Sequence, residues 1–330
     1  MTVTTPTQKF IDLQKGWPSP RLLPSQALQE AATATLSDIG RATDSMLYGP
    51  SIGDPALRRG VSAWLSELYT LRSQTVQLPL LQNDHDESTP ASSAKPTPIS
   101  ADRICITNGA SQNLASIMEA FTDPIYTLRI WMVEPTYFHA CTIFEDAGFQ
   151  GRLVGVPEDE EGLDVEFLRS QMALVEETEA EKAGKFGSSS TTRSPFKKSP
   201  RYEKLYRHVI YLVPTFSNPS AKTYTLARRE SLVKLAWEFD ALVVTDDCYD
   251  FLAWTLKSSA PDVNGKGTKS VSNVPLPPPR LVDIDASLPG GDSEWGHTVS
   301  NGSFSKVVGP GLRCGWAEAT PRFIKRLNLV

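Results

Sequence analysis

Lys306 stands between two groups suited to gripping a phosphate. Ser303, three residues earlier, carries a hydroxyl, and Arg313, seven residues later, carries a planar fork of donors matched to phosphate oxygens. A lysine amine is a poor nucleophile at neutral pH until burial or nearby positive charge destabilises its ammonium, but once unprotonated it condenses readily with an aldehyde. The segment Ser303-Phe304-Ser305-Lys306, followed by Pro310-Gly311-Leu312-Arg313, is therefore a candidate for a covalent bond to a phosphorylated carbonyl compound. Serine–lysine pairs and glycine–arginine turns also occur in loops of no chemical consequence, so the weight comes from motifs upstream.

Pyridoxal phosphate supplies both the aldehyde and the phosphate. The apolar run Ala241-Leu242-Val243-Val244 ends in Thr245-Asp246-Asp247-Cys248-Tyr249, which reads as a buried parallel strand delivering polar groups at its carboxyl end. Ligands of open α/β sheets bind there. Asp246 suits a protonated pyridine nitrogen, keeping the ring an electron sink, and Tyr249 suits the phenolic oxygen; an ordinary helix cap is the alternative for Asp246. A second apolar strand, 207–213, runs into Thr215-Phe216-Ser217-Asn218-Pro219, where Asn218 could reach the same oxygen. Arg103-Ile104-Cys105-Ile106-Thr107 leads through Asn108-Gly109-Ala110-Ser111 into a helical pattern. That strand, glycine turn and helix N-terminus would receive an anion on Gly109, Ala110 and Ser111, opposite Ser303 and Arg313. Leu128–Val133 ends in Glu134-Pro135-Thr136-Tyr137, and Tyr137 could stack on a flat ring. Tyr48, in Leu47-Tyr48-Gly49-Pro50, reads by itself as a loop residue.

The elements that must position these residues alternate regularly. Candidate strands are 103–107, 128–133, 151–156, 207–213, 241–246, 298–303 and 313–318; helical patterns fall at 111–121, 136–147, 164–175 and 225–239. An amphipathic helix also runs from Gly53 through Leu68. Seven strands joined largely by helices imply an α/β fold, with a mostly parallel sheet sandwiched by helices.

Together these residues resemble the class I/II aminotransferases, which are fold-type I pyridoxal phosphate enzymes, and within them the aromatic amino acid and 2-aminoadipate aminotransferases. The resemblance runs from about Ile11 to the end of the chain and is most specific from Asn301 to Trp316. It implies that Lys306 forms the Schiff base and shuttles the substrate proton, that Asp246 binds the ring nitrogen, and that Asn218 and Tyr249 bind the phenolic oxygen. It further implies that Tyr137 stacks on the ring and that Ser111, Ser303, Arg313 and the backbone of Gly109 and Ala110 hold the phosphate. Tyr48 would reach across a homodimer interface to the partner's phosphate, making the active site shared. The expected reaction moves an amino group from an amino acid to a 2-oxo acid. A lyase or decarboxylase of the same fold, or a non-catalytic cofactor-binding or dimerisation protein, are the alternatives.

Two departures stand out. The family usually has Asn-Pro-Thr-Gly where this chain has Asn218-Pro219-Ser220-Ala221, so a turn that often uses glycine must be built with alanine. The chain also stops at Val330, whereas the family continues into a segment carrying the arginine that clamps the substrate carboxylate; an incomplete small domain is expected. The expected domains are an arm with part of the small domain at 1–75, a variable loop at 76–100, and the large cofactor-binding domain at 101–330, with insertions near 182–201 and 257–279.

Composition agrees. At 330 residues and 40% hydrophobic content the chain can bury a large sheet and is expected to form two lobes. A net charge of −5 argues against nucleic acid as the main partner. No apolar run approaches membrane-spanning length, the first residues lack the basic and apolar regions of a secretory signal, and the cytoplasm is the expected location. Cys105, Cys141, Cys248 and Cys314 lack paired spacing, which favours reduced thiols over disulfides or a metal site.

Overall fold

A computed structural model describes residues 18–75, 98–185, 195–252 and 278–330. Strands β1 (Ile104–Thr107), β2 (Arg129–Glu134), β3 (Leu153–Asp159), β4 (Gly162–Leu163), β5 (His208–Leu212), β6 (Ala241–Asp246), β7 (Thr298–Ser303) and β8 (Gly315–Glu318) form one sheet in the order β1-β8-β7-β6-β5-β2-β3-β4. The run β3-β2-β5-β6-β7 is parallel throughout. β8 lies antiparallel to both β1 and β7, and β4 antiparallel to β3. The expected seven-stranded, mostly parallel sheet thus becomes an eight-stranded mixed one. The added strand is the two-residue β4, too short to leave a hydrophobic period in the sequence.

Apolar residues on the central strands alternate between two cores because successive side chains point to opposite faces. Ile130, Met132, Val209, Tyr211, Leu242 and Val244 face one side, and Trp131, Val133, Ile210, Leu212 and Val243 the other. Helices α4 (Ala110–Phe121), α5 (Phe138–Phe144) and α9 (Pro321–Leu327) cover the first face. Helices α6 (Val165–Lys185), α7 (Leu226–Glu238) and α8 (Leu281–Ser287) cover the second. Such two-sided burial explains why β5 and β6 read as unbroken apolar runs rather than alternating ones.

Helices α1 (Ser25–Leu36), α2 (Ile39–Met46) and α3 (Pro55–Thr75) precede the sheet. Val61, Leu65 and Tyr69 of α3 pack on Ile104 and Trp316 in a third, smaller core. The sequence pattern stops short of α3's end and misses α1, α2, α8 and α9; α8 and α9 are only seven residues each, two turns, too little for a periodic signal. The pattern at 136–147 is shorter than expected as an α-helix, because Gly148 (φ 92°) closes a π-helical turn over Glu145–Phe149. The strand expected at 313–318 starts only at Gly315, since Arg313 is left-handed (φ 48°).

The loop expected at 76–100 lies outside the described residues except for 98–100, and the insertion at 257–279 except for 278–279. The insertion at 182–201 begins inside α6, where Lys182 pairs with Glu179 at 2.9 Å; Glu, Ala and Lys favour helix whatever the polarity of the stretch. Its residues 186–194 lie outside the described part.

Candidate active site

Strand direction gathers the site. β1, β7, β6, β5 and β2 all run the same way, so their carboxyl ends share one edge of the sheet. β8 begins at that edge, and the register sets Gly315 opposite both Thr107 and Ser303. Asn108 and Arg313, 205 positions apart in sequence in the turns after β1 and before β8, are thereby neighbours.

Gly109 caps α4 with φ 93° and ψ 166°, a conformation essentially confined to glycine. A Cβ there would lie 2.6 Å from Arg313 Nη2. The guanidinium thus sits against the N-terminus of α4, where unpaired backbone N–H groups already favour an anion. Its own protein contacts are long, 3.2 Å from Nη1 to the Pro310 carbonyl and 3.4 Å from Nη2 to the Asn108 carbonyl, and the side chain is exposed. Ala110 is half-buried and Ser111 exposed at the same helix end. Ser303 is buried; its hydroxyl donates to Ser305 Oγ at 3.0 Å and accepts from the Ser305 N–H at 3.1 Å. Ser305 therefore joins the cluster, although its position beside Lys306 did not single it out in the sequence.

Asn113 and Asn301, also not singled out, pin this corner: Asn113 Nδ2 donates to Asn301 Oδ1 at 2.8 Å and Asn301 Nδ2 to the Ala110 carbonyl at 3.0 Å. Both are buried amides, and a polar side chain inside an apolar pattern was the available signal.

Asp246 ends β6 and pairs in register with Asn301. Tyr211 donates to its Oδ2 at 3.3 Å, while Oδ1 is buried with no hydrogen-bond partner. Burial pushes this carboxyl above the ordinary range, against hydrogen bonds from Cys248 and Tyr211 and the charge of Lys306. Lys306 Nζ lies 5.7 Å from the centroid of the Tyr249 ring. Asn218 Nδ2 donates to the Tyr249 hydroxyl at 3.4 Å. Burial, with the neighbouring Cys248, pushes that phenol up to about 12, so it stays a neutral donor at physiological pH. Tyr137, half-buried at the start of α5, has its phenol pushed up by burial and then by Asp246 and Cys248, which places it within electrostatic reach of the same carboxylate.

The turn carrying Lys306 is anchored by Phe304, whose ring lies 4.9 Å from that of Trp316 and 6.3 Å from that of Trp64. Behind Asn218, Ala221 adopts φ 61°: the turn keeps its left-handed residue although alanine occupies it. Tyr48 is fully exposed and, among the described residues, makes no hydrogen bond or ring contact, so a single chain does not bring it to the cluster.

An orphaned buried carboxylate oxygen, two neutral donors, an amine and a basic, N–H-rich corner fit a flat, cationic-nitrogen ring bearing a phosphate. Several known proteins are similar to this chain. An uncharacterized protein of Saccharomyces cerevisiae, YER152C, is 33% identical over 94% of this chain and 64% of its own length. Aromatic-amino-acid aminotransferase 1 of Thermococcus litoralis is 26% identical over 98% of the chain and 57% of its own length. Among solved structures, LysN, an α-aminoadipate aminotransferase from Thermus thermophilus, superposes with a TM-score of 0.61 at 22% identity, covering 95% of this chain and 57% of that one. The chain thus spans about 57 to 64% of the length of these relatives. The sequence profile of aminotransferase class I and II matches residues 9–330, nearly end to end, and the chain belongs to that family.

Proposed function

We propose that this chain carries the cofactor-binding machinery of a pyridoxal phosphate-dependent aminotransferase that moves an amino group from an amino acid to a 2-oxo acid. The observation that carries the reading is Asp246: a buried carboxylate with one unpartnered oxygen, on the same sheet edge as Lys306, Tyr249 and Asn218. Bound there, the cofactor supplies an aldehyde for an amine and a ring that stores the electron pair left when a substrate α-C–H bond breaks. The protein does the rest. Asp246 Oδ1 holds the proton on the ring nitrogen, and Asn218 Nδ2 and the Tyr249 hydroxyl donate to the phenolic oxygen. Lys306 Nζ takes the proton from the substrate α-carbon. Arg313, Ser303, Ser111 and the N–H groups at Gly109 and Ala110 hold the phosphate. Tyr137 lies against the ring.

The same reading extends to assembly as a homodimer with a shared site, in which Tyr48 reaches the partner's phosphate. Its support is the full exposure of Tyr48 beside exposed Met46 and Leu47. A cytoplasmic location is supported by the four cysteines, none in a disulfide. Among the described residues no helix is long and apolar enough to cross a membrane.

Incubation with pyridoxal phosphate followed by borohydride should fix the label on Lys306 by peptide mass; in a separate, unreduced sample an amino acid should convert the cofactor to its amine form. Label on another residue overturns the site; ammonia or carbon dioxide released in place of an amine-form cofactor overturns amino transfer.

A further inference from the structure

Asparagine is followed by glycine at three places in the chain, Asn108-Gly109, Asn264-Gly265 and Asn301-Gly302. At such a step the backbone nitrogen of the glycine can attack the side-chain amide carbon of the asparagine, because no Cβ on the second residue crowds the approach. Asn264-Gly265 lies outside the described residues. The other two both border the phosphate corner, in opposite environments.

Asn301 is 1% exposed, and both ends of its amide are held, Oδ1 by Asn113 and Nδ2 by the Ala110 carbonyl. Gly302 lies inside β7 opposite Trp316, whose indole fills the space where a Cβ would stand. There is no room there to close a ring. Asn108 is exposed, and among the described residues its side-chain amide makes no hydrogen bond. The Gly109 N–H, ahead of the first turn of α4, is likewise unpartnered. What crowds Gly109 is the guanidinium of Arg313, the end of a flexible, exposed side chain. Arg313 Nη2 meets the Asn108 carbonyl at 3.4 Å, beside the positive end of α4. Both draw electron density from the amide that joins Asn108 to Gly109 and favour loss of its proton.

We propose that Asn108 is a site of spontaneous deamidation, that its product weakens the phosphate corner, and that a bound phosphate group protects it. The Gly109 nitrogen forms a bond to Asn108 Cγ, and Nδ2 leaves as ammonia, taking up the proton that the nitrogen gave up. Water then opens the cyclic imide at either carbonyl, leaving an aspartate or an isoaspartate at position 108 with no change of oxidation state. The new carboxylate pairs with Arg313 and repels an incoming phosphate. A phosphate already bound accepts from the Gly109 N–H, and its negative charge opposes loss of that proton, so only the empty site reacts. The consequence for the cofactor rests on the function proposed above; the bond-making step does not.

The test is to age the full cofactor-free chain in mildly alkaline buffer and follow its peptides by mass, with isoaspartyl methyltransferase to detect isoaspartate. The amide-to-acid mass gain should accumulate at Asn108, with isoaspartate, while Asn301 stays intact; in the chemically unfolded chain both should convert. No conversion at Asn108 in the folded protein, or conversion of Asn301 at the same rate, overturns the site. With pyridoxal phosphate at about ten times its dissociation constant, conversion at Asn108 should slow roughly tenfold, because only the unoccupied fraction reacts. An unchanged rate in protein that demonstrably holds the cofactor overturns the protection. For the consequence, Asn108→Asp should bind pyridoxal phosphate at least about tenfold more weakly, the factor for one hydrogen bond to a charged group, and Asn108→Ser should stay within about threefold of the native protein. Equal affinity in the two variants overturns the claim that the product weakens the corner. Failure of the native protein to bind the cofactor sinks the proposed function and leaves the deamidation to the peptide masses.

Discussion

Gly109→Ala puts the phosphate corner under the most direct strain. The backbone at this position has φ 93° and ψ 166°, a region that side chains with a Cβ occupy at a cost of order 1–3 kcal/mol. The added methyl would also meet Arg313 Nη2 at 2.6 Å and Cζ at 3.1 Å. The guanidinium is the end of a flexible, exposed side chain, so it can swing aside and the steric part is cheap for folding. It is costly for binding, because the fork leaves the helix end it shares with the anion. A lost charge-assisted contact of about 1.5–3 kcal/mol corresponds to a roughly ten- to hundredfold weaker grip on pyridoxal phosphate. Gly60→Ala serves as the control: it lies in α3 with nothing within 4 Å of a built Cβ, and alanine should stabilise that helix by roughly 0.5–1 kcal/mol. The assays are urea unfolding and cofactor titration followed by absorbance. If Gly109→Ala unfolds within about 0.5 kcal/mol of the native protein and binds the cofactor equally well, the assignment of this turn to phosphate binding is wrong.

Two further outcomes follow from other parts of the fold. Ala221→Gly should change unfolding free energy by less than about 1 kcal/mol, because relief of the left-handed strain at φ 61° is offset by the greater freedom of glycine in the unfolded chain; a loss well beyond that would show that the alanine methyl makes a contact the turn needs. In the buried network behind β5, Trp131 Nε1 donates to His208 Nδ1 at 3.1 Å, which leaves the His208 Nε2–H to meet Glu176 at 3.0 Å, and Arg207 pairs with the same carboxylate at 3.0 Å. Burial raises the Glu176 carboxyl, but His208 and Arg207 outweigh it and hold the group at about 2. A depressed carboxyl contributes stability that is present above its unfolded value of about 4 and is lost as pH falls to about 2. Glu176→Gln should therefore flatten that part of the acid-unfolding curve, and an unchanged acid limb would refute the pairing.

Much of the candidate site was legible because its residues follow strands with strong aliphatic signals. Val243 and Val244 announce β6 and so place Asp246, and the glycine after Ile104–Thr107 announces the start of α4. What the sequence could not show was the set of partners supplied at long range. Tyr69 lies 181 residues from Asp250 and Asn113 lies 188 from Asn301, and no local pattern links such residues.

Residue order alone determined which groups stand at strand ends, since a buried parallel strand must be a short apolar run and the polar residue that ends it must emerge at its carboxyl edge. Only the tertiary structure decided that β8 enters antiparallel between β1 and β7, bringing Arg313 against Gly109. Strand order and direction are set by how whole faces bury against each other, a property of the packed sheet and helices together and of no single segment.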